Sequence, residues 1–191
     1  MARKLPNFLR DDEIAQLLEQ AQVRVELALT PARRHAARLD LIVATVGLKL
    51  GLRVSELANL NIEHLDLVRH SAFVHQGKGA KDRFVPVPQS LVEPLRQWLG
   101  ERTAGPVFIG YTGRRVSIRT LQLRITRLGR NAGLQKRLKA HSLRHSYATA
   151  LKNRGVAISD IQELLGHSSI ATTTVYLHCD PGRLKSAVDL L

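Results

Sequence analysis

The sequence predicts a mainly α fold with one small antiparallel β-sheet, an α+β domain. Three observations carry that expectation. Leu, Ile, Val and Ala recur at helical spacing along most of the chain. Hydrophobic residues make up 44% of the chain and aromatics only 4%, so its core is aliphatic. Only residues 71–76 and 82–87 alternate in the manner of strands. At 191 residues the chain suits one domain that buries a sizeable core without disulfide support.

Residues 1–10 read as an arm or linker containing Pro6. Asp11 or Asp12 then caps a helix to about Val25, with Ile14, Leu17, Leu18 and Ala21 on one face. Thr30-Pro31 opens a second helix over 32–50. Its run LDLIVATVGLKL is apolar on nearly every side, as in a central buried helix. Gly47 and Gly51 suit close packing or a C-cap. A short helix over 54–60 and a turn over 61–66 follow.

The two strands are joined by GKGAK, a Gly-rich hairpin tip, and Pro86 and Pro88 suit an edge strand or its end. Ser90 caps a helix to about Glu101, and 105–113 is a loop around VFI. Ser117 caps a long helix that ends near Ala132 at Gly133. Helices are expected at 141–153, 158–165 and 170–176, and a short amphipathic one after Asp180-Pro181. The boundaries expected are therefore a 1–10 arm, an 11–180 body and a 181–191 tail.

Charge narrows the function. Lys and Arg number 29 against 16 Asp and Glu, a formal net charge of +13. That is the footprint of a polyanion binder. The charge is also uneven: between Arg114 and Arg154 lie twelve Lys or Arg and no acidic residue. Repulsion in such a block costs stability unless an anion offsets it. With Cys179 alone, no internal disulfide is possible, which fits a reducing cytoplasm. The N-terminus has no apolar signal-peptide core, and no apolar run approaches the ~20 residues of a membrane span.

Several clusters carry candidate chemistry. Arg53 and Glu56 are i and i+3, so neighbours on one helical turn. They read either as an ordinary ion pair or as a guanidinium held by a carboxylate and aimed at a phosphate. Lys78, at the hairpin tip, reads as turn chemistry or as a phosphate clamp and general acid, with Lys81 as its rival. Arg114, Arg115, Arg119, Arg124, Arg127 and Arg130 flank or lie on one helix, and with Lys81, Arg83 and Lys139 they are the candidate DNA contacts. The alternative for these is a solvated basic face.

His141 and Arg144 repeat the i, i+3 spacing, and His145 reads as structural, holding the backbone or the tyrosine segment. His167 stands just past Gly166, which ends a helix, and nine residues before Tyr176. A tyrosine near a helix end is ordinarily a packing residue; the Arg and His nearby raise a nucleophilic role. His141 and His145 are i, i+4, but no acidic or cysteine partner completes a zinc pattern, and GKGAK is not a P-loop.

Taken in order, Arg53, Lys78, His141-x-x-Arg144, His167 and Tyr176 resemble the catalytic set of the tyrosine recombinases, the phage-integrase and Xer-like family. The matching phrases are GLRVSEL, GKGAKDRFVPVP, HSLRHSYAT and LLGHSSIATTTVYLH, and the resemblance spans about 5–181. It implies the catalytic-domain fold of that family and site-specific breakage and rejoining of double-stranded DNA. Tyr176 would be the nucleophile, leaving a 3′-phosphotyrosyl link and a free 5′-OH. Arg53 and Arg144 would stabilise the phosphorane, and Lys78 would protonate the 5′-oxygen. His141 and His167 would hydrogen-bond the phosphate, and Glu56 would support Arg53. No metal, nucleotide or other cofactor is implied.

The resemblance also implies self-association, as a tetramer on DNA, through a tail docked on a neighbouring protomer. Leu184, Val188, Leu190 and Leu191 are the candidate apolar contacts. The family's N-terminal DNA-binding domain has no counterpart in this sequence, so the expectation is a recombinase working without it, as an excised domain or a naturally short member. Two rival functions share these residues: nicking and resealing of the type IB topoisomerase kind, and DNA-binding regulation without catalysis.

Overall fold

The computed structural model describes residues 8–75, 82–166 and 181–191. Lys78, Lys81, His167, Tyr176, the hairpin tip and the helix expected at 170–176 lie outside the described residues. The described elements are α1 (Asp11–Glu26), α2 (Pro31–Leu50), α3 (Val54–Asn59), β1 (Leu65–Asp66), β2 (Ser71–Val74), β3 (Arg83–Pro86), α4 (Gln89–Leu99), α5 (Ile118–Asn131), α6 (Ala140–Asn153), α7 (Ile158–Leu165) and α8 (Pro181–Asp189). The expected α+β class, helices around one small sheet, is what the chain adopts.

α2 is the central helix, as its apolar run predicts: Leu39, Ile42, Val43, Ala44, Val46 and Leu50 are all buried. Thr30 caps it by accepting a hydrogen bond from the Arg33 N–H, and Gly51 closes it in the left-handed conformation at φ 60°. Close approach of α6 depends on Gly47, where an added Cβ would fall 2.8 Å from Leu143 Cδ1. That approach brings the start of α6 beside the end of α2, and the site is built there.

The sheet runs β1-β2-β3, all antiparallel, with Ala72 opposite Leu65 on one side and Val85 on the other. β3 is an edge strand, which accommodates Pro86. Ala72, Val74 and Val85 face the core. β1 falls where only a turn was expected, because a two-residue strand is too short to show alternation. Two helix starts also differ from expectation. Arg10, not Asp11 or Asp12, holds the N-cap position of α1, and the Glu13 carboxylate accepts the Arg10 N–H at 2.8 Å. α4 begins after Pro88 rather than at Ser90, whose hydroxyl instead accepts a hydrogen bond from Lys49 Nζ.

The end of the arm lies against α6: the Leu9 N–H donates to Ser146 Oγ at 2.7 Å, and Phe8 meets the His145 ring edge-on at 5.6 Å. α8 packs on its own chain. Val188 is fully buried with Tyr147, Leu151, Ile161, Leu164 and Leu165, and Leu184 and Leu191 pack against them. Lys49 Nζ donates to the Leu191 carbonyl, and the Gln89 N–H donates to Asp189 Oδ1. Among the described residues no helix is long and apolar enough to cross a membrane.

Candidate active site

The site grows from one carboxylate. Glu56 sits in the first turn of α3, where its side chain accepts the Arg53 N–H at 2.7 Å. A carboxylate there satisfies an orphan donor and complements the helix dipole. The same carboxylate accepts Arg53 Nη1 at 2.8 Å. From β3, Arg83 clamps it with both terminal nitrogens, Nη1 to Oε1 at 3.0 Å and Nη2 to Oε2 at 3.1 Å. Arg144 from α6 approaches to 3.9 Å. Burial alone would push the Glu56 carboxyl up, but hydrogen bonds and charge from Arg83 and then Arg53 outweigh it and hold it below its ordinary value.

Three guanidiniums around one carboxylate carry a formal charge of 3 − 1 = +2. Arg144 registers the excess. Burial and then repulsion from Arg53 lower its pKa to about 10, against the pull of Glu56, with Arg83 adding to the repulsion. The same three arginines also bind the end of α7. Arg83 Nε donates to the Leu164 carbonyl at 3.2 Å, Arg144 Nη2 to Leu165 at 2.6 Å, and Arg53 Nη2 to Gly166 at 3.1 Å. The last carbonyls of a helix have no partners within it, and cations there complement its dipole. Gly166, left-handed at φ 62°, turns the chain off α7 one residue before His167.

Of the expected catalytic and supporting residues, Arg53, Glu56 and Arg144 are brought together. Arg53 is the accessible head, its side chain 39% exposed, whereas the Arg144 side chain is 6% exposed and gives Nη1 to the Gly51 carbonyl at 2.8 Å. His141 lies on the exposed side of α6, 6.5 Å from the exposed His145 ring, while Arg144 turns inward. Their i, i+3 spacing thus sets their helical turn but not a shared direction for their heads.

The candidate DNA contacts divide. Arg114, Arg119 and Lys139 are exposed. Arg115 is tied to the Ala58 carbonyl and to Asn61 Oδ1. Arg124 and Arg127 are paired to Asp40, a buried carboxylate of α2, with Nη1 of Arg124 at 2.6 Å. Arg24 of α1 is the third cation on Asp40, at 3.3 Å. Arg83 is the correction: expected as a surface contact to DNA, it is only 5% exposed, because Glu56 and the Leu164 carbonyl take its donors.

Asp40 was not among the expected residues, and Arg83 was expected in another role. Asp40 left a signal, the one acidic residue of α2, set at the start of its apolar run, where burial requires a partner. For Arg83 the signal was its strand parity with Val85, a core residue two positions on.

Comparisons with known proteins show the family and the fold. A family model described as the phage integrase family matches residues 7–183. The chain is 40% identical over 192 aligned positions to tyrosine recombinase XerC of Azotobacter vinelandii, covering 98% of this chain and 60% of that protein. It is 35% identical to tyrosine recombinase XerA of Pyrococcus furiosus, covering 98% of this chain and 62% of that one. The chain therefore spans about three fifths of the length of these curated relatives. Among solved structures, a XerA recombinase matches with TM-score 0.71 and 31% identity over 96% of this chain and 64% of that one. A XerH site-specific recombinase bound to its difH substrate matches with TM-score 0.70 and 27% identity over 92% of this chain and 51% of that one. With residues 7–183 matched and the arginine–glutamate cluster assembled at the ends of α2 and α7, the chain belongs to the phage integrase family.

Proposed function

We propose that this chain breaks and rejoins double-stranded DNA through a 3′-phosphotyrosyl intermediate, as a site-specific recombinase. The observation that carries the reading is the charge excess at Glu56. Arg53, Arg83 and Arg144 leave a net +2 that one carboxylate does not neutralise, with Arg53 at its accessible edge. A phosphodiester gains negative charge as it becomes a pentacoordinate phosphorane. Placed cations that need no rearrangement stabilise that state more than the ground state.

Each role follows from the chemistry of its side chain. Tyr176 is the nucleophile; a phenol near pKa 10 needs nearby cations to attack as a phenolate. Lys78 protonates the departing 5′-oxygen. Arg53 binds the non-bridging oxygens, and Arg144 contributes its charge from beneath. His141 and His167 hydrogen-bond the phosphate and pass protons. The phosphotyrosyl bond conserves the energy of the cleaved one, so a 5′-OH reverses the step. No cofactor takes part in this reading.

The exposed arginines beside and on α5, Arg114 and Arg119, with Lys139, track the phosphate backbone. XerH, 27% identical, was solved on its DNA substrate, which supports DNA as the partner here. The tail would leave its own chain and dock on a neighbouring protomer, assembling a tetramer on DNA. Its apolar side, Leu184, Val188 and Leu191, supplies the contact. The setting that follows is the cytoplasm.

The test begins with a duplex selected by this protein from a random-sequence pool, then nicked to trap the intermediate. A covalent protein–DNA adduct should appear on a denaturing gel, and Tyr176→Phe should abolish it. No adduct, or an adduct that survives that substitution, overturns the reading. Binding should weaken steeply as salt rises from about 50 to 200 mM.

A further inference from the structure

Successive carbonyls at the end of α7, those of Leu164, Leu165 and Gly166, each receive a guanidinium from a different element. Arg83 reaches from β3, Arg144 from α6 and Arg53 from the turn before α3. Two of these arginines carry individual roles in the phosphate reading above. Arg83 enters it only as part of the shared charge, since both its terminal nitrogens lie on Glu56 and its Nε on Leu164. At 5% exposure it cannot reach a phosphate.

We infer that Arg83 is a positioning residue for phosphodiester cleavage, registering Arg53 and the end of α7 against each other through Glu56. The inference rests on the recombinase reading of this site. Its geometry explains why an arginine is needed. The planar fork satisfies both carboxylate oxygens at once, and the remaining Nε–H points away along the stem to a third acceptor. Lysine offers one ammonium and cannot span Glu56 and Leu164 in the same way.

Glu56 in turn fixes Arg53, whose Nη1 it accepts at 2.8 Å, so an untethered Glu56 lets the accessible guanidinium drift. Leu164 lies two residues before Gly166, where the chain leaves α7 toward His167 and Tyr176. One side chain therefore couples the cation to the chain that leads to the nucleophile. Misplacement of a reacting group by about 1 Å costs on the order of a hundredfold in rate.

The experiment separates binding from cleavage. Duplex affinity is measured by fluorescence anisotropy, and single-turnover adduct formation on the nicked duplex at saturating protein. Arg83→Gln should bind within about twofold of the parent protein, with an unchanged salt slope, because no phosphate contact is lost. Its adduct should form about tenfold to a hundredfold more slowly. Arg83→Lys keeps a cation on Glu56, guards against loss of the fold, and should fall between the two.

Weakened binding with a salt slope reduced by about one would make Arg83 a DNA contact and overturn the inference. So would a lowered melting temperature with an unchanged cleavage rate in the folded, bound fraction, or equal rates for Lys and Gln. Failure of the parent protein itself to form an adduct would instead strike the recombinase reading.

Discussion

Asp40 and Arg124 stand 84 residues apart in sequence and meet at 2.6 Å between α2 and α5. Asp40 is 2% exposed and also holds Arg24 and Arg127, so one buried carboxylate joins α1, α2 and α5. Removing one side of a buried pair leaves uncompensated charge and costs roughly 3–5 kcal/mol. Asp40→Ala is expected to lose stability in that range by urea unfolding. Arg127→Ala, which removes a half-exposed partner, should cost about 1 kcal/mol or less. Equal losses would show that the three cations do not depend on Asp40 in common.

Gly51 and Tyr147 give a second test. Gly51 has φ +60°, and an added Cβ would fall 2.3 Å from Tyr147 Cδ1. Gly51→Ala combines backbone strain with a collision against a fully buried ring, so a loss of about 2 kcal/mol or more is expected. The loss appears as a lower melting temperature and reduced adduct formation, because the Gly51 carbonyl also receives Arg144. Tyr147→Phe behaves differently. The Tyr147 hydroxyl is buried without a hydrogen-bond partner among the described residues, so its removal should be neutral or slightly stabilising.

Glu56 sets an acid limit on stability. Its folded pKa lies below the ordinary 4.5 because Arg83 and Arg53 overcome the effect of burial. The folded state therefore binds this proton less readily than the unfolded state does. The stabilisation is complete above pH 4.5 and is lost as pH falls through the lower folded value. Unfolding free energy measured across the acid range should decline below about pH 4.5, and Glu56→Gln should flatten part of that decline while lowering stability at neutral pH. An acid limb identical in Glu56→Gln would remove Glu56 as its source.

The attachment of α8 is also measurable. Val188 is wholly buried, and beyond its apolar cluster the polar contacts of the tail include Lys49 to Leu191 and Gln89 to Asp189. Val188→Asp places a charge inside an apolar cluster of Tyr147, Leu151, Ile161, Leu164 and Leu165, so α8 should release before the body unfolds. Amide exchange at 184–191 should rise strongly while α2 and α5 retain their protection. Uniform loss of protection across the chain would show instead that the tail and body open as one unit.

Local rules made much of this chain legible. The apolar run of α2 announces a buried central helix. Thr30 and Ser117 mark helix starts through side-chain oxygens that accept the Arg33 and Thr120 N–H groups. Arg53, Lys78, His141-x-x-Arg144, His167 and Tyr176, taken in order with their neighbouring residues, carry the resemblance to the family. Each of the helix signals acts over a few residues, where backbone geometry is nearly independent of the rest of the fold.

Charge pairing acts over longer reach, and there the tertiary structure decided. The block from Arg114 to Arg154 contains no acidic residue, yet Asp40 neutralises Arg124 and Arg127, Glu13 pairs with Lys136, and Glu56 stands near Arg144. Arg83 shows the limit most clearly. Alternation says that Arg83 and Val85 share a face and that Phe84 takes the other, but not which face is inside. Packing buries the arginine and leaves Phe84 70% exposed, because Glu56, 27 residues earlier, supplies the charge that makes a buried guanidinium tolerable. By itself the sequence determined the course of the described helices, the family and the candidate chemistry. Which cations face outward and which brace the site from behind depended on carboxylates brought from elsewhere in the chain, and only the fold brings them there.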